Sequence, residues 1–297
     1  MSKRNHEIHT HTVSCEWLKA HLQDDDIRVV DASWHLPATG RNAQKEYAEA
    51  HIPGAIFFDI DEHSAESPLP HMLPDAVQFA QAASMLGIGN NHHIVVYDSV
   101  GLFSAARVWW MFRHFGAERV SVLDGGLPAW KRVEGKLVSS VDGSATRGAI
   151  SNSDLSSEFH ASGNSSLSTV DATAVLQSLD DDATVILDAR SQSRFTGEEK
   201  EARAGLRSGH IPGSISLPFT RLLDDEGLLK SCEDLRKVFE QLPISPQNTI
   251  ITSCGSGVTA AIICLALEIA GYDAAGLYDG SWSEWGGRDE LPIATGA

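Results

Sequence analysis

Short, mainly apolar segments alternate with longer amphipathic segments throughout the chain. The short segments span residues 27–32, 94–97, 120–123, 185–187, 250–252 and 275–278. Apolar runs of this length are typical of strands buried on both faces of a parallel sheet. The longer segments predict helices over residues 76–86, 104–115, 234–242 and 259–270. This alternation of strands and helices predicts an α/β fold.

The two halves of the chain repeat each other. His51-Ile52-Pro53-Gly54-Ala55 recurs 159 residues later as His210-Ile211-Pro212-Gly213-Ser214, and Asp124-Gly125-Gly126 recurs after 155 residues as Asp279-Gly280-Ser281. This near-constant offset predicts two copies of one domain in the same order. We place an N-terminal domain at residues 1–140, a linker rich in Ser, Gly, Asn and Thr at 141–166, and a C-terminal domain at 167–297.

The most informative segment is the loop Cys254-Gly255-Ser256-Gly257-Val258-Thr259, which lies between a predicted strand and a predicted helix. Cys254 falls at the carboxyl end of the strand, where open α/β sheets bind their ligands. Loop N–H groups and a helix N-terminus stabilise a thiolate at such a position. Cys15, Cys232 and Cys264 lack this context, and the first copy has Asp98 at the matching position. We therefore expect only the second copy to carry a nucleophile.

Composition narrows the class of function. The 297 residues include 40 acidic and 23 basic side chains, which give a formal net charge of −17. Such a surface repels nucleic acid and anionic membranes, so we expect neither as a partner. No apolar run reaches the roughly 18 residues of a membrane span, and we expect no secretory signal. Four scattered cysteines favour a reducing, cytoplasmic compartment, with a mitochondrial location as the alternative. No sequence motif calls for a metal or a cofactor.

A thiolate cradled in a short loop has two chemical interpretations. Cysteine phosphatases bind phosphate with an arginine at the position that Ala260 occupies here, and residue 261 is also alanine. Without that guanidinium the loop lacks a bidentate phosphate ligand. The sequence therefore favours sulfur transfer over phosphate hydrolysis.

The duplicated domain, the cysteine-centred loop and the Asp-Gly turns resemble the rhodanese family across nearly the whole chain. The loop is similar to that of members that use 3-mercaptopyruvate. Members that use thiosulfate typically carry basic residues where this chain has Gly255 and Ser256. The resemblance implies two tandem rhodanese-like domains, each a mostly parallel sheet flanked by helices. It also implies a sulfurtransferase that moves sulfur from 3-mercaptopyruvate through a persulfide on Cys254 and releases pyruvate.

The same resemblance implies the other residues of the site. Asp61 and His71 are expected to form a serine-protease-like triad with Ser256, in which Asp61 orients the imidazole. Arg194 and Arg203 are expected to bind the carboxylate and keto oxygen of the substrate. The chain has Lys200-Glu201-Ala202 where many relatives have Pro-Glu-Pro, and Arg190 and Arg207 are the alternative arginines. The expected substrate-binding set is completed by the loop residues Gly255, Gly257, Val258 and Thr259.

Two other functions stay open from the sequence. The first is a thiosulfate sulfurtransferase, and the second is a non-catalytic rhodanese module that docks partners. For an enzyme, the resemblance implies small thiols or a thioredoxin-like protein as sulfur acceptors.

Overall fold

The computed structural model describes residues 11–140, 157–163, 165–272 and 276–296. In the first half the strands are β1 (Thr12–Val13), β2 (Ile27–Asp31), β3 (Ile56–Phe57), β4 (His93–Tyr97) and β5 (Val120–Leu123). The helices are α1 (Cys15–His21), α2 (Ala43–Glu49), α3 (Ala76–Met85), α4 (Ala105–His114) and α5 (Gly126–Arg132). The strands form one parallel sheet in the order β1-β5-β4-β2-β3.

The second half repeats this architecture. Its strands are β6 (Ser168–Val170), β7 (Thr184–Asp188), β8 (Ile215–Ser216), β9 (Thr249–Ser253) and β10 (Gly276–Tyr278). Its helices are α6 (Ala172–Ser178), α7 (Gln192–Thr196), α8 (Cys232–Glu240), α9 (Ala260–Ala270) and α10 (Ser281–Trp285). The parallel strand order β6-β10-β9-β7-β8 matches that of the first sheet. The predicted tandem α/β fold is therefore confirmed.

Both faces of each sheet are covered, as the apolar strand segments predict. In β4, Ile94 and Val96 pack into one apolar cluster, while Val95 and Tyr97 pack into another on the opposite face. Successive side chains of a strand point to opposite faces, so a strand covered on both sides needs apolar residues at every position. The short strands β1, β3, β6 and β8 were not predicted, because segments of two or three residues carry little readable period.

Helices α4 and α9 join the two domains. They lie against each other, and a single apolar cluster includes Trp109, Trp110, Ile262 and Leu265 from the two helices. A helix that is apolar on all sides must be buried on all sides, and α9 is buried because it lies between the two domains. The loop that precedes α9 is thereby held against the first domain.

Part of the predicted linker packs on the first domain. Phe159 is buried against Phe79 and Phe112, and its N–H donates to Ser84 Oγ at 2.9 Å. Residues 141–156 and 164 of that linker lie outside the described residues. The domain boundaries at 140 and 167 therefore stay a prediction. Within the part of the chain that the structure describes, no helix is long and apolar enough to cross a bilayer.

Candidate active site

Cys254 directly follows β9 and lies at the base of the loop, with 1% of its surface exposed. Its N–H and that of Gly257 both donate to Ser281 Oγ, at 3.1 and 3.2 Å. The Ser281 hydroxyl in turn donates to the Tyr278 carbonyl at 2.7 Å, and Trp282 N–H donates to the Cys254 carbonyl at 3.0 Å. The start of α10 therefore fixes the shape of the cysteine loop.

Sequence reasoning missed Ser281, although the repeat contains a signal for it. Ser281 adopts φ 48°, a left-handed conformation that favours glycine, and the matching residue of the first copy is Gly126 at φ 51°. A serine that replaces glycine at a left-handed position accepts backbone strain. Its hydroxyl, which bridges two N–H groups of the cysteine loop, gives a reason for the replacement.

The first domain shows what the loop geometry can bind. Asp98 stands where the second domain has Cys254, and its side chain is fully buried. Its carboxylate accepts five backbone N–H groups, from Val100, Gly101, Phe103, Ser104 and Ala105, at 2.7–3.0 Å. A loop of this shape between a strand and a helix therefore forms a cradle for an anion. In the second domain the equivalent loop begins at Cys254, and the N–H groups of Cys254 and Gly257 donate to Ser281 Oγ.

The other cysteines lie in unreactive surroundings. Burial raises the pKa of the Cys264 thiol to about 12 and that of Cys15 to about 11. Cys232 Sγ contacts the Ile269 carbonyl at 3.1 Å, and all four cysteines are free of disulfides. A thiol with a raised pKa holds little thiolate at neutral pH, so Cys264 and Cys15 are poor nucleophiles.

The predicted triad residues meet across the domain interface. His71 Nδ1 lies 2.9 Å from Ser256 Oγ, and His71 Nε2 lies 3.0 Å from Asp61 Oδ1. Trp34 Nε1–H donates to the second oxygen of Asp61 at 2.9 Å, and the Trp34 indole meets the His71 ring edge-on. His71 and Ser256 are 185 residues apart in the chain, so only the packing of the domains brings them together.

The direction of these hydrogen bonds follows from the charge of Asp61. The hydrogen bond from His71 holds the pKa of the Asp61 carboxyl below its usual value, and the Trp34 indole adds to this effect. An ionised carboxylate only accepts, so His71 carries a proton on Nε2. With a neutral ring, Nδ1 is then the acceptor and the Ser256 hydroxyl donates to it. The chain Asp61–His71–Ser256 can thus take up a proton from the serine and return it.

The two predicted arginines stand beside the cysteine loop. A Cβ atom on Gly255 would lie 3.4 Å from Arg194 Nη2 and 4.0 Å from Arg203 Nη1. Arg203 Nη1 donates to Ser283 Oγ at 3.3 Å. Burial lowers the pKa of Arg203, and the charge of Cys254 acts in the opposite direction. Glycine at position 255 therefore leaves room for a ligand between the sulfur and two cations.

A buried carboxylate, which sequence reasoning left unassigned, compensates one of these cations. The Glu201 side chain is 2% exposed; it accepts from Arg194 Nε at 3.2 Å and from Arg190 Nη1 at 2.7 Å. Arg190 also forms a bidentate pair with Asp188. These four side chains carry two positive and two negative charges. Arg203 lies beside these four residues, and the negative charges of Cys254, Asp61 and Glu201 act on its guanidinium.

The alternative arginines have structural partners. Arg190 is buried between Asp188 and Glu201, and its guanidinium covers the Trp282 ring at 4.2 Å. Arg207 donates to the carbonyls of Trp285, Gly286, Arg288 and Leu291. Neither residue has a guanidinium available for a ligand carboxylate in this arrangement.

Most of the predicted site residues line one cleft of about 260 Å³ between the domains. Its walls include Arg194, Arg203, Cys254, Gly255, Ser256, Val258 and Thr259, together with Trp34, Phe103 and Phe219. Gly257 is not among the lining residues. It adopts φ 73°, and a Cβ there would lie 3.1 Å from the Asp279 carbonyl oxygen, behind the loop. The structure thus gives Gly257 a role in loop shape and places it away from the cleft.

Comparison with known proteins identifies the family. Residues 14–133 and 171–288 each match the rhodanese-like domain. This chain belongs to the rhodanese family. The Escherichia coli 3-mercaptopyruvate sulfurtransferase is 44% identical over 283 residues, which cover 95% of this chain and 96% of that protein.

Two further rhodanese relatives bear on function and fold. The mitochondrial thiosulfate/3-mercaptopyruvate sulfurtransferase 1 of Arabidopsis thaliana is 44% identical over 292 residues, covering 95% of this chain and 77% of that protein. The crystal structure of an Escherichia coli 3-mercaptopyruvate sulfotransferase matches with a TM-score of 0.79 and 42% identity. It covers 93% of this chain and 100% of its own. The predicted membership in the two-domain rhodanese family is confirmed.

Proposed function

We propose that this protein is a 3-mercaptopyruvate sulfurtransferase with Cys254 as its nucleophile. The Cys254 thiolate attacks the sulfur of the donor, the C–S bond breaks, and its electron pair stays on carbon as the enolate of pyruvate. The enolate takes up a proton and leaves as pyruvate, and Cys254 retains the outer sulfur as a persulfide. An acceptor thiolate then attacks that sulfur and regenerates the Cys254 thiolate.

The observation that carries this proposal is the proton chain Asp61–His71–Ser256, which ends in the same loop as Cys254. An enolate leaving group needs a proton, whereas the sulfite that would leave from thiosulfate is already a stable anion. An acid–base chain that runs from the exposed Asp61 through the buried His71 and Ser256 is therefore useful for 3-mercaptopyruvate, whereas thiosulfate does not need it.

The charge of the cleft supports the same donor. Glu201 compensates Arg194, and Arg203 interacts with the negative charges of Cys254, Asp61 and Glu201. Two cations that are already partly compensated suit the single carboxylate of 3-mercaptopyruvate better than the two charges of thiosulfate. Arg194 and Arg203 are proposed to bind the carboxylate and keto oxygen, and the wall formed by Gly255, Val258 and Thr259 to hold the carbon skeleton.

Small thiols or a thioredoxin-like dithiol are proposed as acceptors, because the second step needs only a thiolate that can reach the cleft. A reducing compartment, the cytoplasm or the mitochondrion, suits a persulfide that is discharged by thiols.

A direct comparison of donors tests the proposal. Pyruvate release from 3-mercaptopyruvate with a thiol acceptor is measured beside thiocyanate formation from thiosulfate and cyanide. We expect a clear preference for 3-mercaptopyruvate, and mass spectrometry should find about 32 Da added to the peptide that holds Cys254. The Cys254→Ser variant should lose both signals, whereas the control variant Cys264→Ser should keep them. Preference for thiosulfate, or sulfur on Cys232 or Cys264, would refute the assignment.

A further inference from the structure

A buried ion pair crosses the domain interface behind the cysteine loop. Arg107 belongs to α4 of the first domain, is fully buried, and donates through Nη2 to Asp279 Oδ1 at 2.6 Å. Asp279 follows β10 of the second domain, and its other oxygen accepts the N–H of Leu73 at 2.7 Å. The pair therefore ties the 71–73 segment of the first domain to the second domain.

The same arginine holds the backbone of His71. Arg107 Nη2 also donates to the His71 carbonyl at 2.9 Å. His71 has φ 59°, a left-handed conformation that is uncommon outside glycine and persists only where neighbouring contacts enforce it. Contacts at the His71 carbonyl and at the Leu73 N–H, two residues on, supply that constraint.

The ion pair also borders the serine of the triad. A Cβ on Gly257 would lie 3.3 Å from Asp279 Oδ1 and 3.4 Å from Arg107 Nη1, so the residue next to Ser256 packs directly on the pair. One ion pair thus fixes both partners of the His71–Ser256 hydrogen bond, although the two residues come from different domains.

The burial of Arg107 is costly. Within the described chain its Nε and Nη1 groups have no hydrogen-bond partner, so its two hydrogen bonds both start from Nη2. Buried unpaired donors are rare and call for an explanation. Hydrophobic residues of similar volume often replace a buried ion pair without loss of stability.

We propose that Arg107 and Asp279 are positioning residues that hold His71 against Ser256 for proton transfer to the leaving pyruvate enolate. This inference rests on the proposed function.

The repeat supplies a matched control. Asp124 occupies the position of Asp279 in the first domain, and its Oδ1 accepts the N–H of Leu229 from the second domain at 2.9 Å. Leu229 lies 156 residues after Leu73, so the two aspartates make equivalent contacts across the interface. Asp124 touches no member of the triad among the contacts of the described residues. It therefore shares the interface role of Asp279 without the positioning role.

The test compares Asp279→Asn with Asp124→Asn in the full-length protein. Arg107 and Leu73 donate to different oxygens of Asp279. An amide has an oxygen at only one of these two positions, so one contact is lost and His71 should shift. We expect kcat with 3-mercaptopyruvate to fall on the order of ten- to a hundredfold with little change in KM, since a misplaced acid–base group loses that much. Asp124→Asn should stay within about twofold of the wild type, because one oxygen still accepts the Leu229 N–H.

A double-mutant cycle separates positioning from general loosening of the fold. In a Ser256→Ala background the triad is already broken, so Asp279→Asn should change kcat by less than about twofold. A full additional loss in that background, or an unchanged kcat for Asp279→Asn alone, overturns the inference. If Asp279→Asn does not fold, Arg107→Gln combined with Asp279→Asn removes both charges, and the same comparison decides. A wild-type protein that releases no pyruvate would instead defeat the proposed function itself.

Discussion

Asp98 should contribute strongly to the stability of the first domain, although no chemical step is assigned to it. Its buried carboxylate accepts five backbone N–H groups. Asp98→Ala leaves five donors without an acceptor, of which three are buried and two are half-buried. At the low end of about 1–3 kcal/mol for each unsatisfied group, the free energy of unfolding falls by about 5 kcal/mol. That exceeds the usual effect of a point mutation.

Asp98→Asn should have an intermediate effect. Oδ2 of Asp98 accepts three of the N–H groups and Oδ1 accepts two. An amide oxygen can take the place of the oxygen that accepts three, which leaves its NH₂ facing two donors at a cost of about 2 kcal/mol at the same low end. Val100→Ala, in the same loop with a side chain that is 43% exposed, is the control and should change stability by less than about 0.5 kcal/mol.

Thermal unfolding followed by circular dichroism measures these effects. At about 2–4 °C per kcal/mol, Asp98→Ala should lower Tm by at least about 10 °C. Pyruvate release by the folded Asp98→Asn protein at low temperature should match the wild type, since Asp98 takes no part in the reaction. A drop in Tm of less than about 2 °C for Asp98→Ala would show that the cradle contributes little. Loss of activity in folded Asp98→Asn would show that the first domain has a chemical role.

Three further predictions concern the cleft. Glu201→Gln should raise the ratio of thiosulfate to 3-mercaptopyruvate turnover by about tenfold, because Arg194 then loses its compensating charge. Glu198→Gln, at an exposed residue, is the control. An unchanged ratio for Glu201→Gln would show that the charge of the cleft does not determine the choice of donor. Arg194→Ala should raise KM for 3-mercaptopyruvate by about tenfold or more with a smaller change in kcat, as measured by steady-state kinetics. Values of KM and kcat equal to those of the wild type would show that Arg194 does not bind the substrate. Ser281→Gly keeps a residue that tolerates the left-handed conformation but deletes the hydroxyl that holds the cysteine loop. Persulfide formation, measured by mass spectrometry, should therefore slow by about tenfold. A rate equal to that of the wild type would exclude this role for Ser281.

Local patterns in the sequence determine the central strands, the longer helices and their order. Mainly apolar runs identify the central strands: the observed β4 begins one residue before the predicted run, and β9 extends one residue beyond it at each end. The duplication predicts two copies of one fold, because equivalent sequences bury equivalent faces. The place of Cys254 also follows locally, since a strand that ends at a loop before a helix puts its next residue at the carboxyl edge of the sheet.

The proton chain and the charge balance depend on the tertiary structure. Asp61, His71 and Ser256 meet because α4 and α9 pack together, and the resemblance to a known family, rather than any local period, indicated their proximity. Hydrophobic periodicity indicates that one face of a helix is buried, but it does not indicate which other element covers that face. Arg107 shows this limit most clearly. In the sequence it is one charged residue in an apolar helix, and only the packed domains give it Asp279 as a partner and the His71 carbonyl to hold.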